Sequence, residues 1–274
     1  GSETVGALEA LLPPGSGLAT GGAPEPESWT PEFWEELLKA ARRAISKFPR
    51  KSSPGPNGSR FEHWGVLAAD GQALEAGAEV IVNFLVGDCP AEALEANLGA
   101  RLMALQKPSG GVRPVAMGSV VRRLAARAAC GALRERVPQA VGPEQFGVGR
   151  PAGIEMVHKA ISALVDEDAS RVVLAFDASN AFGTLPRQRV WEGVRARIPE
   201  LDRVARAWLG KPTTHVFWDG EGVAHRLVAR SGVDQGCPLS PLFFSLGLAA
   251  AADSIGAQLR GLDGSSKVFA YLDD

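Results

Sequence analysis

Cysteine is scarce: Cys89, Cys130 and Cys237 lie far apart in 274 residues, with no Cys-x-x-Cys spacing. This excludes a zinc ribbon and a disulfide framework and fits a reducing compartment. The four histidines, His63, His158, His215 and His225, show no metal-ligand spacing and read as structural or surface residues. The longest uncharged apolar stretch, Pro238 to Ala252, is too short to span a bilayer and is broken by Pro238, Ser240, Pro241, Ser245 and Gly247. It reads as a buried helix, and no membrane partner is expected. A basic region followed by an apolar core and a cleavage site is absent from the start of the sequence, so the protein is expected to be intracellular. Gln145-Phe146-Gly147-Val148-Gly149-Arg150-Pro151-Ala152-Gly153 does not qualify as a dinucleotide loop. Its third glycine is one position late, no hydrophobic strand precedes it, and Pro151 interrupts the turn.

Net charge is also small, −2 at pH 7, which by itself argues against nucleic acid. Its distribution reverses that impression. Residues 1–40 carry seven acidic side chains and one basic, and 41–60 carry six basic and none acidic. Residues 61–100 have seven acidic and none basic, whereas 101–136 have eight basic and one acidic. Such blocks are either solvated helix faces or, in the two basic segments, phosphate-contacting surfaces.

The 45% apolar content is enough to bury a substantial core. Residues 1–27, rich in Gly, Pro, Ala, Ser and Glu, read as a mobile leader. Thr30 and Pro31 then form a helix start, and Phe33, Trp34, Leu37, Leu38, Ala41 and Ile45 recur at helical spacing. Lys51-Ser52-Ser53-Pro54-Gly55-Pro56-Asn57-Gly58 is too turn-rich for helix or strand. Helices are expected over about 72–86, 91–99, 119–136, 151–168, 187–198, 201–209 and 241–260. Strands are expected from Arg171 to Phe176 and Lys267 to Leu272, with a hairpin at Thr213–Trp218 and Val223–Ala229.

Two acidic centres stand 96 positions apart: Asp177, after Val172-Val173-Leu174-Ala175-Phe176, and Asp273-Asp274, after Tyr271-Leu272. If the fold brings them together, they form a hard oxygen cage for divalent cations of the kind used in nucleotidyl transfer. Between them lies Gly232-Val233-Asp234-Gln235-Gly236-Cys237-Pro238-Leu239-Ser240-Pro241. These three pieces, in this order, resemble reverse transcriptases, most closely those of non-LTR (LINE-like) retrotransposons. The 51–58 loop is similar to a signature of the same family, with Asn57 departing from its usual Asp. Gly183 departs likewise from the Asn common in non-LTR relatives.

The resemblance implies an α+β right-hand polymerase. Residues 28–170 would be a mainly helical fingers region, and 171–274 a ferredoxin-like palm that is truncated, with the thumb absent. It implies RNA-directed DNA synthesis, with an RNA template, a DNA primer and deoxynucleoside triphosphates as partners. Asp177, Asp273 and Asp274 would be the catalytic carboxylates, and these three with Ala178 the metal site, holding Mg²⁺ or Mn²⁺. Two such ions would sit about 3.5–4 Å apart. Lys107 and Arg113, in a stretch similar to the family's fingers hairpin, would grip the triphosphate. Phe182, five residues after Asp177, would be an aromatic gate against a 2′-hydroxyl. Ala178, Gln235 and Gly236 would complete the nucleotide site, and Tyr271 would lie near the primer end or be a plain strand aromatic.

Two other classes remain at this point: a catalytically silent nucleic-acid-binding remnant, and a group II intron maturase-like enzyme. The missing return strand after Asp274 leads to the expectation that these 274 residues alone are inactive. For the retroelement reading, a nuclear location is expected.

Overall fold

The structure is a computed structural model describing residues 2–15, 18, 29–108 and 110–272. Chain order begins with α1 (Ser2–Ala10), α2 (Pro31–Ser46), α3 (Phe61–Gly65), α4 (Gly71–Val86) and α5 (Ala91–Leu98). There follow β1 (Ala100–Gln106), β2 (Val112–Gly118), α6 (Val120–Ala132), α7 (Val137–Ala140) and α8 (Gly153–Glu167). The remainder is α9 (Ala181–Thr184), α10 (Arg187–Arg197), α11 (Asp202–Leu209), β3 (Thr213–Trp218), β4 (Ala224–Ala229) and α12 (Ser240–Asp263). This is an α+β fold.

Local chemistry explains most boundaries. Thr30 Oγ1 accepts from Phe33 N at 3.2 Å, capping α2, and Pro31 occupies the first turn, where no N–H is needed. Asp70 caps α4 by accepting from Ala73 N at 2.8 Å, and Gly87 ends that helix in the left-handed region at φ 77°. Ser119 Oγ accepts from Arg122 N and starts α6 directly after β2.

The sheet runs β2-β1-β3-β4. Two antiparallel hairpins, β1/β2 and β3/β4, meet through a short parallel pairing of Arg101–Leu102 with Val216–Phe217. The larger core joins α2, α4 and α6 through Leu37, Ile45, Ile81, Leu85 and Leu124, and continues into Val190, Trp208, Leu239 and Phe244. A smaller core lies on the sheet, where Leu8 packs with Ala100, Leu102, Ala116 and Leu227.

Three expectations change. Residues 2–15, expected within a mobile leader, hold a helix: α1 docks on β2 and β4 with Leu8 fully buried. Its sequence signal was a single short apolar run, Leu8, Leu11 and Leu12, whose packing depends on a sheet that begins 92 positions after Leu8, at Ala100. The strand expected at 171–176 is absent; residues 171–178 have no regular secondary structure, and Val172, Leu174 and Phe176 are exposed. β-propensity makes no strand without a partner to complete its hydrogen bonds, and none stands beside this segment among the described residues. The strand expected at 267–272 reduces to one parallel bridge, Ala270 with Gln145.

The buried-helix reading of the apolar stretch at 238–252 agrees with α12. Ser240–Leu262 is long and apolar enough to cross a bilayer, yet its first half buries Leu242, Phe243, Phe244, Leu246 and Ala249 in the core.

Candidate functional site

The β1–β2 hairpin carries the proposed phosphate grip. Lys107 N donates to Gly111 O at 3.1 Å, Gly110 N donates to Lys107 O at 3.0 Å, and Gly110 and Gly111 adopt φ of 90° and 78°, which a glycine pair permits. Arg113 lies opposite Leu105 in the register. Lys107 and Arg113 are both exposed, with no carboxylate partner among the described residues.

Beside β2 lies the Gln235–Gly236 turn. Ala116 N donates to Gln235 O at 2.7 Å, and a Cβ at Gly236, where φ is 107°, would stand 2.9 Å from Ala116 O. Glycine is therefore required both by conformation and by this close approach. Val233 N donates to Phe182 O at 2.8 Å, tying the turn to α9. The Phe182 ring is half-buried and stacks on the buried Phe244, centroids 4.5 Å apart and 5° from parallel.

Under the turn is a charge network that the sequence reading missed. Asp234 meets Arg122 Nη2 at 2.7 Å with one carboxylate oxygen and His215 Nε2 at 3.1 Å with the other. Ala100 N donates to His215 Nδ1 at 3.1 Å, so the ring proton sits on Nε2 and points at Asp234. Arg122 Nη1 also donates to Leu98 O at 2.7 Å. Burial opposes the Asp234 charge, but His215 and Arg122 outweigh it and hold the carboxyl far below the ordinary range. No local signal marks these partners, because positions 122, 215 and 234 converge only in the folded chain.

The carboxylates are less regular. Asp177 and Ala178 are exposed in the unpaired 171–178 segment, and the Asp177 carboxylate has no protein partner among the described residues. Asp273 and Asp274 lie outside the described residues. Their approach is anchored, however. Ala270 N donates to Glu144 O at 2.8 Å, and Phe146 N donates to Ala270 O at 2.7 Å. The buried Gln145 Oε1 then accepts from both Gly147 N at 2.8 Å and Leu272 N at 2.9 Å. Thus the Gln-Phe-Gly stretch, which does not qualify as a dinucleotide loop, holds the backbone just before Asp273. A free carboxylate such as Asp177 suits a divalent ion, which needs unpaired oxygen ligands. Among the described residues no group of three His, Cys, Asp or Glu side chains assembles.

A cleft beside the Gln235 turn is lined by Pro114, Ala116, Asn180, Gly183, His215 and Gln235, together with Leu11 and Leu12. Asn180 Nδ2 donates to Leu11 O at 2.9 Å, so the segment after α1 is tied to the start of α9 within this lining.

The basic segments split on inspection. Arg122 and Arg123 are buried, the latter donating to Ser53 O at 2.9 Å and lying over the Phe61 ring. Arg42 pairs with Glu35 and Glu75, and Arg136 with Glu36 and Glu200. Arg43, Lys47, Arg50, Lys51, Arg60 and Arg134 are exposed. Burial pushes the Cys130 thiol up to about 12, and Cys237 is buried.

A hairpin that exposes Lys107 and Arg113, with a glycine turn docked on its second strand, agrees with the nucleotide-polymerising class of protein that the motifs resemble. Residues 105–274 match the family described as "Reverse transcriptase (RNA-dependent DNA polymerase)", and the chain belongs to that family. It is also similar to the "Retrotransposable element SLACS 132 kDa protein" of Trypanosoma brucei gambiense, 27% identical over 243 residues. That alignment covers 88% of this chain and 20% of the relative, so the chain spans about a fifth of the relative's length. Both matches agree with a reverse transcriptase region of the non-LTR retroelement type, and members of this family use divalent metal ions.

Proposed function

We propose that the chain is the fingers and part of the palm of a retroelement polymerase that extends a DNA primer on an RNA template with deoxynucleoside triphosphates. The observation that carries this reading is the joining of the Gln235 turn to β2, the strand that bears Arg113, by the 2.7 Å Ala116–Gln235 hydrogen bond. Residues 28–170 form the fingers in this reading and 171–274 the palm.

Lys107 supplies a mobile point charge to the triphosphate and Arg113 a planar donor fork. Gln235 and the side-chain-free face of Gly236 lie along the nucleotide. Phe182, held flat by Phe244, occupies the space a 2′-hydroxyl would need. Asp177, Ala178, Asp273 and Asp274 would hold Mg²⁺, with Mn²⁺ as a substitute. That ion supplies Lewis-acid activation of the primer 3′-hydroxyl and charge stabilisation at the leaving pyrophosphate.

The test is primer extension by the full-length protein. Asp177→Asn keeps size and removes charge, and extension is expected to fall by about 100-fold or more while binding of primer–template is kept. Unchanged extension by that variant would remove Asp177 from the site.

A further inference from the structure

The Gln235–Gly236 turn is not part of the sheet, yet the proposed reaction needs it fixed to within a fraction of an ångström of a nucleotide. One backbone hydrogen bond, from Ala116 N, holds it to β2. Two buried side-chain devices flank it. Arg187 donates to Gly232 O at 3.1 Å and to Lys211 O at 2.8 Å, anchoring the start of the segment. Asp234, immediately before Gln235, is clamped between Arg122 at the start of α6 and His215 on β3. Arg122 is fixed in turn by Leu98 O and lies 5.5 Å from the Trp208 ring centroid, while His215 is fully buried and fixed by Ala100 N.

The three members thus come from separate stretches of chain and converge on the residue next to the nucleotide-facing glutamine. A buried ion pair contributes little to net stability compared with apolar packing, so a purely structural account leaves its presence beside this turn unexplained. Directional hydrogen bonds from both sides, in contrast, define where the Asp234 backbone stands.

We propose that Arg122, Asp234 and His215 are positioning residues that set the Gln235–Gly236 turn for the incoming nucleoside triphosphate. The inference rests on the polymerase reading above. Asp234→Asn presents an amide N–H to either Arg122 or His215 Nε2–H, setting donor against donor. His215→Leu removes the donor on that side, and His215→Gln keeps an amide N–H that reaches Asp234 as Nε2 does.

In full-length protein, Asp234→Asn and His215→Leu are expected to raise the KM for deoxynucleotides by about 10- to 100-fold, with primer–template Kd unchanged and His215→Gln close to wild type. Hydrogen exchange without substrate is expected to speed up at Ala116 N–H in the first two variants relative to the amides of α2 and α4. Variants that lose activity only through a smaller active fraction, with wild-type KM and a protected Ala116 amide, would overturn the proposal. Wild-type protein that adds no nucleotide overturns the polymerase reading instead, and Ala116 exchange still decides whether the network holds the turn.

Discussion

Asp234, whose side chain is 11% exposed, shows how one residue can report on a site by two routes. Its folded carboxyl lies below the unfolded value near 3.9, so the stability it contributes is fully present above about pH 4. That stability is lost as pH falls from there toward the folded value. Acid titration of unfolding free energy is expected to show a loss below pH 4 in wild type that is smaller in Asp234→Asn, where carboxylates such as Asp168 and Asp219 still titrate. Truncation to alanine leaves Arg122 buried and unpaired, at an expected cost of about 3–5 kcal/mol in denaturant unfolding. Phe182 has a double character of its own, because its ring is both the proposed gate and a stacking partner of Phe244. Phe182→Ala is expected to cost about 3 kcal/mol and, separately, to raise the ratio of kcat/KM for ribonucleotides over deoxynucleotides. A destabilised variant with an unchanged ratio would leave Phe182 as core alone.

Among the elements, α1 and the 171–178 segment depart furthest from what their sequences suggest. The nine residues of α1 are too few for an isolated helix to be stable in water, so the helix depends on Leu8 reaching the apolar patch of Ala100, Leu102, Ala116 and Leu227. Leu8→Asp buries a charge against that patch and is expected to release the segment, exposing the cleft at Asn180 and Gln235. Faster exchange of the α1 amides, together with a loss of about 2–4 kcal/mol, is the measurement to make. If α1 stays protected in that variant, its attachment does not depend on the small core. In the opposite sense, 171–178 has strand composition but no paired strand among the described residues, and its Val172, Leu174 and Phe176 side chains are exposed.

For the whole molecule, the near-neutral total charge is a poor guide to nucleic-acid binding, because the acidic and basic blocks are separated along the chain. The structure further sorts the cations into those spent on internal partners, such as Arg42, Arg122 and Arg136, and exposed ones such as Arg43, Lys51 and Arg134. Affinity for a primer–template duplex is expected to fall steeply with salt, and Arg43→Glu or Lys51→Glu to flatten the slope by about one unit each where the residue meets phosphate. Arg136→Gln, which removes only internally paired charge, is expected to leave the slope unchanged. Equal slopes for all three variants would place the nucleic acid on another face.

The sequence by itself determined the periodic helices, the β3/β4 hairpin and the family, since apolar spacing, caps and the wording around Asp177, Gln235 and Tyr271 are local properties of the chain. It also singled out Lys107, Arg113, Phe182 and Gln235, which the fold places on the hairpin or close to the turn docked on β2. Only the tertiary structure decided that Leu8 is core, that Arg122 and His215 close on Asp234, and that Gln145 holds Leu272. Each of these depends on partners outside its own element, from 19 positions away for His215 and Asp234 to 127 for Gln145 and Leu272, and their strength comes from burial that no stretch of sequence has alone. The strand expected at 171–176 failed for the same reason: a strand is a relation between two segments, and composition describes only one of them.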